Sequence, residues 1–272
     1  VNSVVATAPS QSDTDEPVKP SMNGPQHSPI PSTNSTTNDM ALSFKEVTCY
    51  WNDVEVADIT GQKKNKPALV LALDSVSFDL KKGGLLAVIG TVGSGKSALL
   101  QAIVGELSVA SGLIEHGYKS ISYAAQDPWV LDGTIKENIL MGLNFDAHWY
   151  QRVVNVCGLD VDFKQIRYGD RAIVGDRGVQ LSGGQRARIG LARALYRDAD
   201  ILIADDPLSA VDARVGRQLY NEAIMGLAIN RGKAVVLATH QHQYISECRC
   251  VLVTNGRISC DGTYSACVEA SN

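Results

Sequence analysis

The spacing of apolar and polar positions changes several times along this chain, and each change predicts an element. Leu42-Ser43-Phe44-Lys45-Glu46-Val47-Thr48-Cys49-Tyr50-Trp51 mixes alternation with β-branched and aromatic residues, the texture of a strand. Asn52 to Pro67 is polar and rich in lysine and reads as a surface loop or hairpin insertion. Strand character resumes at Leu69 to Leu73 and Val76 to Leu80, with Lys82-Gly83-Gly84 as a turn. Leu85-Leu86-Ala87-Val88-Ile89 is apolar without interruption, as expected of a central parallel strand. Beyond Lys96, residues Ala98, Leu99, Ile103 and Val104 recur at helical spacing as far as Gly105.

Residues 134 to about 170 read as helices, with capping-box spacing at Thr134-Ile135-Lys136-Glu137 and an amphipathic stretch from Trp149 to Cys157. Gln185 to Tyr196 predicts another helix, carrying Ile189, Leu191, Ala192 and Leu195; Arg186, Arg188, Arg193 and Arg197 read as its solvated face. Ile121 to Ala124 is a short strand. Ile201-Leu202-Ile203-Ala204 and Ala234-Val235-Val236-Leu237-Ala238 are buried strands, and Val251 to Arg257 is a hairpin around Asn255-Gly256. Residues 1 to about 40 hold most of the prolines and few large apolar groups, too few to offset their ordering entropy, and read as a disordered linker. The expected organisation is that tail followed by one folded α/β domain over 41–272.

Composition narrows the function. At 272 residues and 44% hydrophobic content the chain can bury a sizeable core. With 25 Lys+Arg against 29 Asp+Glu it has no basic footprint, and nucleic acid is not an expected partner. Six cysteines are scattered, with only Cys248 and Cys250 close in sequence, which reads as reduced, buried thiols in an intracellular protein. There is no apolar run of about 18 residues to span a bilayer, and the start at Val1 reads as a piece of something longer.

Candidate chemistry sits at six places. Gly90-Thr91-Val92-Gly93-Ser94-Gly95-Lys96-Ser97, followed by Ala98, lies between the predicted strand and helix. Its glycines let backbone amides close around phosphates, Lys96 adds a positive point charge, and Ser97 offers a hydroxyl to Mg²⁺. Asp205 ends an apolar strand, from which a carboxylate reaches the metal shell, and Asp206 follows it. In Leu181-Ser182-Gly183-Gly184-Gln185 a Ser-Gly-Gly turn opens a helix, offering amides and a hydroxyl to a phosphate held by another surface. Gln126, His240 and Trp51 stand just after predicted strands or at the end of one.

Together these motifs resemble the ATP-binding cassette (ABC) proteins over about residues 42 to 268. The resemblance implies a P-loop NTPase core, a mostly parallel sheet flanked by helices, with an antiparallel β subdomain and a helical subdomain near 127–190. It implies ATP and Mg²⁺ as cofactors. Trp51 would stack on adenine, Gln126 would be the glutamine loop that touches Mg²⁺ alongside Ser97 and Asp205, and His240 would reach the γ-phosphate. Ser209-Ala210-Val211-Asp212 is similar to the loop that crosses to an opposite site. Family members with full hydrolytic activity usually carry Glu where this chain has Asp206, so slow hydrolysis is expected.

Trp51, Asp205-Asp206-Pro207-Leu208 and Gly175-Asp176-Arg177-Gly178 resemble the first nucleotide-binding domain of the multidrug-resistance-associated C subfamily. That implies head-to-tail pairing with a second such domain in the same polypeptide, and transmembrane domains above it at the cytoplasmic face of a membrane. An ATP-sensing module with negligible turnover and a soluble ABC ATPase are the competing readings.

Overall fold

The computed structural model describes residues 39–51, 70–175 and 178–271. The expected tail, the Asn52–Pro67 insertion and Asp176-Arg177 therefore lie outside the described residues, except that Asp39 and Met40 are described and the first strand already begins at Met40.

Three strands make an antiparallel sheet in the order β2 (Val70–Lys81), β1 (Met40–Trp51), β4 (Ser108–His116). The two runs expected after Leu69 are one strand, bent at Ser75, which takes φ 50°. β4 carries no alternation signal: Ser-Val-Ala-Ser-Gly-Leu-Ile-Glu-His is exposed along most of its length, held to β1 by its ladder.

The larger sheet has six strands. β11 (Arg257–Thr263) is an antiparallel edge on β10 (Arg249–Thr254); β3 (Leu85–Ile89), β9 (Ala234–Ala238), β8 (Ile201–Asp205) and β5 (Ile121–Ala124) follow in parallel. The uninterrupted apolar runs are explained by burial on both faces. Leu86, Val88, Ile201, Ile203, Val236 and Val251 point to a core shared with the antiparallel sheet and with α1 (Lys96–Val104). The alternate residues, among them Ala87, Ile89, Leu202, Leu237 and Leu252, point to a second core under the helices.

That second core receives α2 (Ile135–Leu140), α3 (Ala147–Val156), α4 (Leu159–Gln165) and α5 (Gly183–Tyr196). Beyond these, α6 (Ala213–Gln218) runs into a wider, π-type turn segment over Leu219–Ala228, and α7 (Tyr264–Glu269) closes the domain. α2 starts with the expected capping box, Thr134 Oγ1 accepting from the Glu137 N–H and Glu137 accepting from the Thr134 N–H. A two-residue ladder, β6 (Gly133–Thr134) on β7 (Ile173–Val174), clasps the start of this helical region to its end.

Of the four arginines expected to form a solvated face, Arg197 is exposed, whereas Arg188 and Arg193 are enclosed. Arg188 lies 2.8 Å from Asp162 of α4 with its side chain only 14% exposed, and Arg193 donates to Asn138 and to the Trp129 carbonyl. They fasten α5 to its neighbours, a role set by packing and not by local sequence.

α5 is also fixed at Gly190, where an added Cβ would lie 2.4 Å from Cγ of buried Pro128. Neither a helix backbone nor a proline ring yields easily, so Gly190→Ala is expected to cost about 1–3 kcal/mol. Urea unfolding measures it, and an unchanged midpoint would show that the contact is not tight.

Candidate functional site

In a parallel sheet, neighbouring strands end on the same edge, and ligands gather at their carboxyl ends. Register aligns Val88 of β3 with Ala238 of β9, Ala238 with Asp205 of β8, and Ala204 of β8 with Ala124 of β5. The chain just beyond those positions supplies the Gly90–Ser97 loop, His240, Asp206 and Gln126.

The loop after β3 is shaped by glycine. Gly90 takes φ 149°, and an added Cβ would lie 2.4 Å from the Val253 carbonyl oxygen, so the strand end and the loop approach more closely than a side chain permits. Lys96 Nζ donates to the Gly90 and Thr91 carbonyls at 2.8 and 2.9 Å, which folds its ammonium back over the loop. Ser94 is buried, and its hydroxyl has no hydrogen-bond partner among the described residues. The β10–β11 turn latches the loop from outside: the Gly256 N–H donates to the Ser94 carbonyl at 2.8 Å. Apart from the turn itself, no local pattern signals this latch.

A cavity of about 480 Å³ opens beside the loop. Gly93 to Ala98 form one wall; Trp51, Leu71 and Ala72 of the antiparallel sheet and Asn255-Gly256 form the rest. Its size falls within the range usual for small-molecule sites. Trp51 ends β1 at this cavity with 36% of its surface exposed.

Asp205 and Asp206, adjacent in sequence, are handled differently. Asp205 Oδ2 accepts from the Tyr123 hydroxyl at 3.0 Å. Burial raises its pKa above the usual carboxylate range, the Tyr123 hydrogen bond opposes that, and the neighbouring Asp206 charge adds to it. Asp206 is buried, takes φ 44°, and turns its carboxylate onto β9: Oδ1 accepts from the Thr239 hydroxyl at 3.1 Å and the His240 N–H at 3.4 Å. Burial lowers the Lys96 pKa, while the charges of Asp205 and Asp206 act to restore it, so cation and carboxylates share one electrostatic environment. The His240 ring is exposed and borders a second cavity, of about 280 Å³, with Gly90 and Thr91. Gln126 is exposed beyond the end of β5. His242 is exposed, and its ring meets the Tyr264 hydroxyl at 2.9 Å.

The Leu181–Gln185 motif is built separately. Ser182 caps α5, its Oγ accepting from the Gln185 N–H and its N–H donating to Gln185 Oε1. Gln185 and Arg188 both hold buried Asp162 of α4, an anchor that local sequence does not reveal. Ser182 and Gly183 are exposed, with open space around Gly183 among the described residues, and the cavity beside Lys96 is walled by other segments. Gly184 packs on Ala210 and Val211. Ser209 Oγ donates to the Asp206 carbonyl, Asp212 caps α6, and Gln241 Nε2 donates to the Leu208 carbonyl. Thus Ser209–Asp212 touches the signature turn on one side and the strand-end acids on the other.

Trp149 donates to the Tyr196 carbonyl and is structural, whereas Trp129 is 64% exposed. The six cysteines are free, four of them buried; Cys260 and Cys267, seven residues apart, bring their sulfurs to 2.9 Å. Among the described residues no cluster of three His, Cys, Asp or Glu side chains is arranged to hold a metal. No described helix is long and apolar enough to cross a membrane.

A strand, a glycine loop closing over a lysine, a helix, and an acid at a neighbouring strand end define a P-loop nucleotide-binding domain of the α/β class. The family model described as ABC transporter matches residues 73–209, half of the chain, and the chain belongs to that family. It is similar to a probable multidrug resistance-associated protein, lethal(2)03659, of Drosophila melanogaster (40% identical over 248 residues, 90% of this chain and 17% of that protein). It is also similar to human ATP-binding cassette sub-family C member 4 (46% over 195 residues, 71% and 14%) and to the metal resistance protein YCF1 of Saccharomyces cerevisiae (41% over 209 residues, 76% and 14%). The chain thus spans about a sixth or less of the length of these relatives.

Because burial raises the Asp205 pKa in the folded chain, ionising it at neutral pH costs stability relative to the unfolded chain, where it titrates near about 3.9. Asp205→Asn is expected to raise the urea midpoint at pH 7, with the gain shrinking as pH falls through the raised folded-state pKa and vanishing below about 3.9, where the carboxyl is protonated in both states. Equal midpoints at pH 7 would contradict this assignment.

Proposed function

We propose that this chain is the ATP-binding motor domain of a multidrug-resistance-associated type of ABC exporter, the first of two such domains in one polypeptide. The observation that carries this reading is the division of the site: Lys96 and the acids gather at the strand ends, while the Ser182-Gly183-Gly184 turn opens a separate helix with Ser182 and Gly183 exposed. In a head-to-tail pair the phosphate loop binds one ATP from below, and the signature turn of the partner closes over it. Binding of ATP then favours the closed pair, and hydrolysis or product release reopens it, moving membrane helices through the region around Gln126. In such a transporter the domain sits on the cytoplasmic face of the membrane.

Within the site Trp51 stacks on adenine, a contact of about 1–3 kcal/mol by analogy with bases on aromatic platforms. Gly90 to Ala98 hold the phosphates, and His240 reaches the terminal one. Ser97, Asp205 and Gln126 offer an all-oxygen donor set of the kind Mg²⁺ takes, and at half-buried Asp205 a cation would offset the burial that disfavours the ionised carboxylate. When bound, Mg²⁺ neutralises charge on the β- and γ-phosphates. Ser209, Ala210, Val211 and Asp212 cross toward the opposite site, and Leu181 to Gln185 complete it.

Hydrolysis at this chain's own phosphate loop is slow in this reading. A general base must reach the water it activates, and small displacements cost orders of magnitude in rate. Asp206 is one methylene shorter than glutamate, and its carboxylate is engaged by Thr239 and His240. The same capture favours the second reading, a domain that holds ATP and senses it with negligible turnover.

ATP titration into the isolated chain is expected to give binding that is lost in Lys96→Ala, with turnover near zero in both; binding retained in Lys96→Ala would remove the phosphate loop from the account. In the assembled transporter Asp206→Glu is expected to raise turnover at this site by a factor of 10 or more, on the order of a restored general base. Single-turnover measurement of ATP cleavage reads it, and an unchanged rate would dismiss the missing methylene as the cause.

A further inference from the structure

Tyr123 was not singled out by any sequence motif, and its hydroxyl is the group that meets Asp205. Register explains how it gets there. Tyr123 of β5 pairs with Ile203 of β8, and Asp205 lies two residues beyond Ile203, so all three side chains share one face of the sheet. The phenol leans along the strand direction to reach the carboxylate on the neighbouring strand.

We propose that Tyr123 is a positioning residue for the metal-facing acid: its O–H, 3.0 Å from Asp205 Oδ2, holds the carboxylate in the rotation that presents Oδ1 to a Mg²⁺-bound nucleotide. The inference rests on the reading of Asp205 as the acid that faces Mg²⁺. Three features of the site call for such a holder. Lys96 gives hydrogen bonds to Gly90 and Thr91 and acts on Asp205 through its charge, which attracts the carboxylate without setting its rotation. Asp206 sits next in the chain and repels Asp205. Thr239 and the His240 N–H are committed to Asp206. The Tyr123 hydroxyl is thus the donor that fixes Asp205, and a hydrogen bond from a neutral donor to a charged acceptor is among the stronger kind. Partners of metal-facing carboxylates typically change metal affinity by about 10–100-fold when removed.

The test measures ATP affinity of the whole chain by calorimetry twice for each protein, in excess Mg²⁺ and in EDTA, and takes the ratio. A change in packing alters both affinities together and cancels, whereas loss of metal positioning lowers the ratio. Tyr123→Phe keeps the ring and removes the hydroxyl, and the ratio is expected to fall about 10-fold. Tyr123→Leu, lacking ring and hydroxyl alike, is expected to give the same ratio as Tyr123→Phe. Asp205→Asn is the reference, and its ratio is expected to fall at least as far. A wild-type ratio in Tyr123→Phe beside a collapsed ratio in Asp205→Asn overturns the role of Tyr123 alone. A wild-type ratio in Asp205→Asn overturns the metal-facing reading of the acid, and the role of Tyr123 with it.

Discussion

Parallel pairing of β3, β9, β8 and β5 is the constraint on which everything at the site depends. Parallel strands end together, and burial on both faces fixes their register, because a slip of one residue would turn every apolar side chain to the wrong core. With register fixed, the residues just past the last paired positions can only emerge side by side. The phosphate loop, the two acids, His240 and Gln126 are neighbours because the apolar residues behind them leave them no other arrangement.

A second level of order is electrostatic. The strand ends carry two carboxylates and one ammonium in a half-buried setting, where each would be unfavourable alone. The fold gives each a different partner: the phosphate-loop carbonyls for Lys96, Tyr123 for Asp205, Thr239 and the His240 amide for Asp206. Two acids adjacent in sequence thereby acquire different chemistry. One sits on the open face of the site with its proton affinity raised, and the other is drawn into the β8–β9 seam.

What was legible in the sequence, and what was not, follows from whether a feature is contiguous. The phosphate loop, the capping box at Thr134 and the two-sided apolar strands are each written in consecutive residues, so local pattern reveals them and the structure shows them. Tyr123 against Asp205, Gly256 against Ser94, and Asp162 against Gln185 and Arg188 join residues 23 to 162 positions apart in the chain, and depend on strand register or helix packing. β4 escaped notice because its residues are mostly exposed and lack alternation; its ladder with β1 alone makes it a strand. The arginines of α5 were misjudged for the opposite reason. Spacing placed them on a helix, but only the neighbouring helices determine that Arg188 and Arg193 are enclosed.

The contact between Pro128 and Gly190 has a mechanical consequence. Pro128 lies two residues past Gln126, and Gly190 lies midway along a 14-residue helix whose first turn presents Ser182 and whose last turn is pinned through Tyr196 to Asn144 and Asp146. A helix of that length is a stiff rod of about 21 Å. With a ring pressed against its midpoint and no side chain between to deform, sideways force on the segment after β5 cannot be absorbed where it arrives. The segment after β5 and the glycine-bearing start of α5 are thereby braced against the same stiff element.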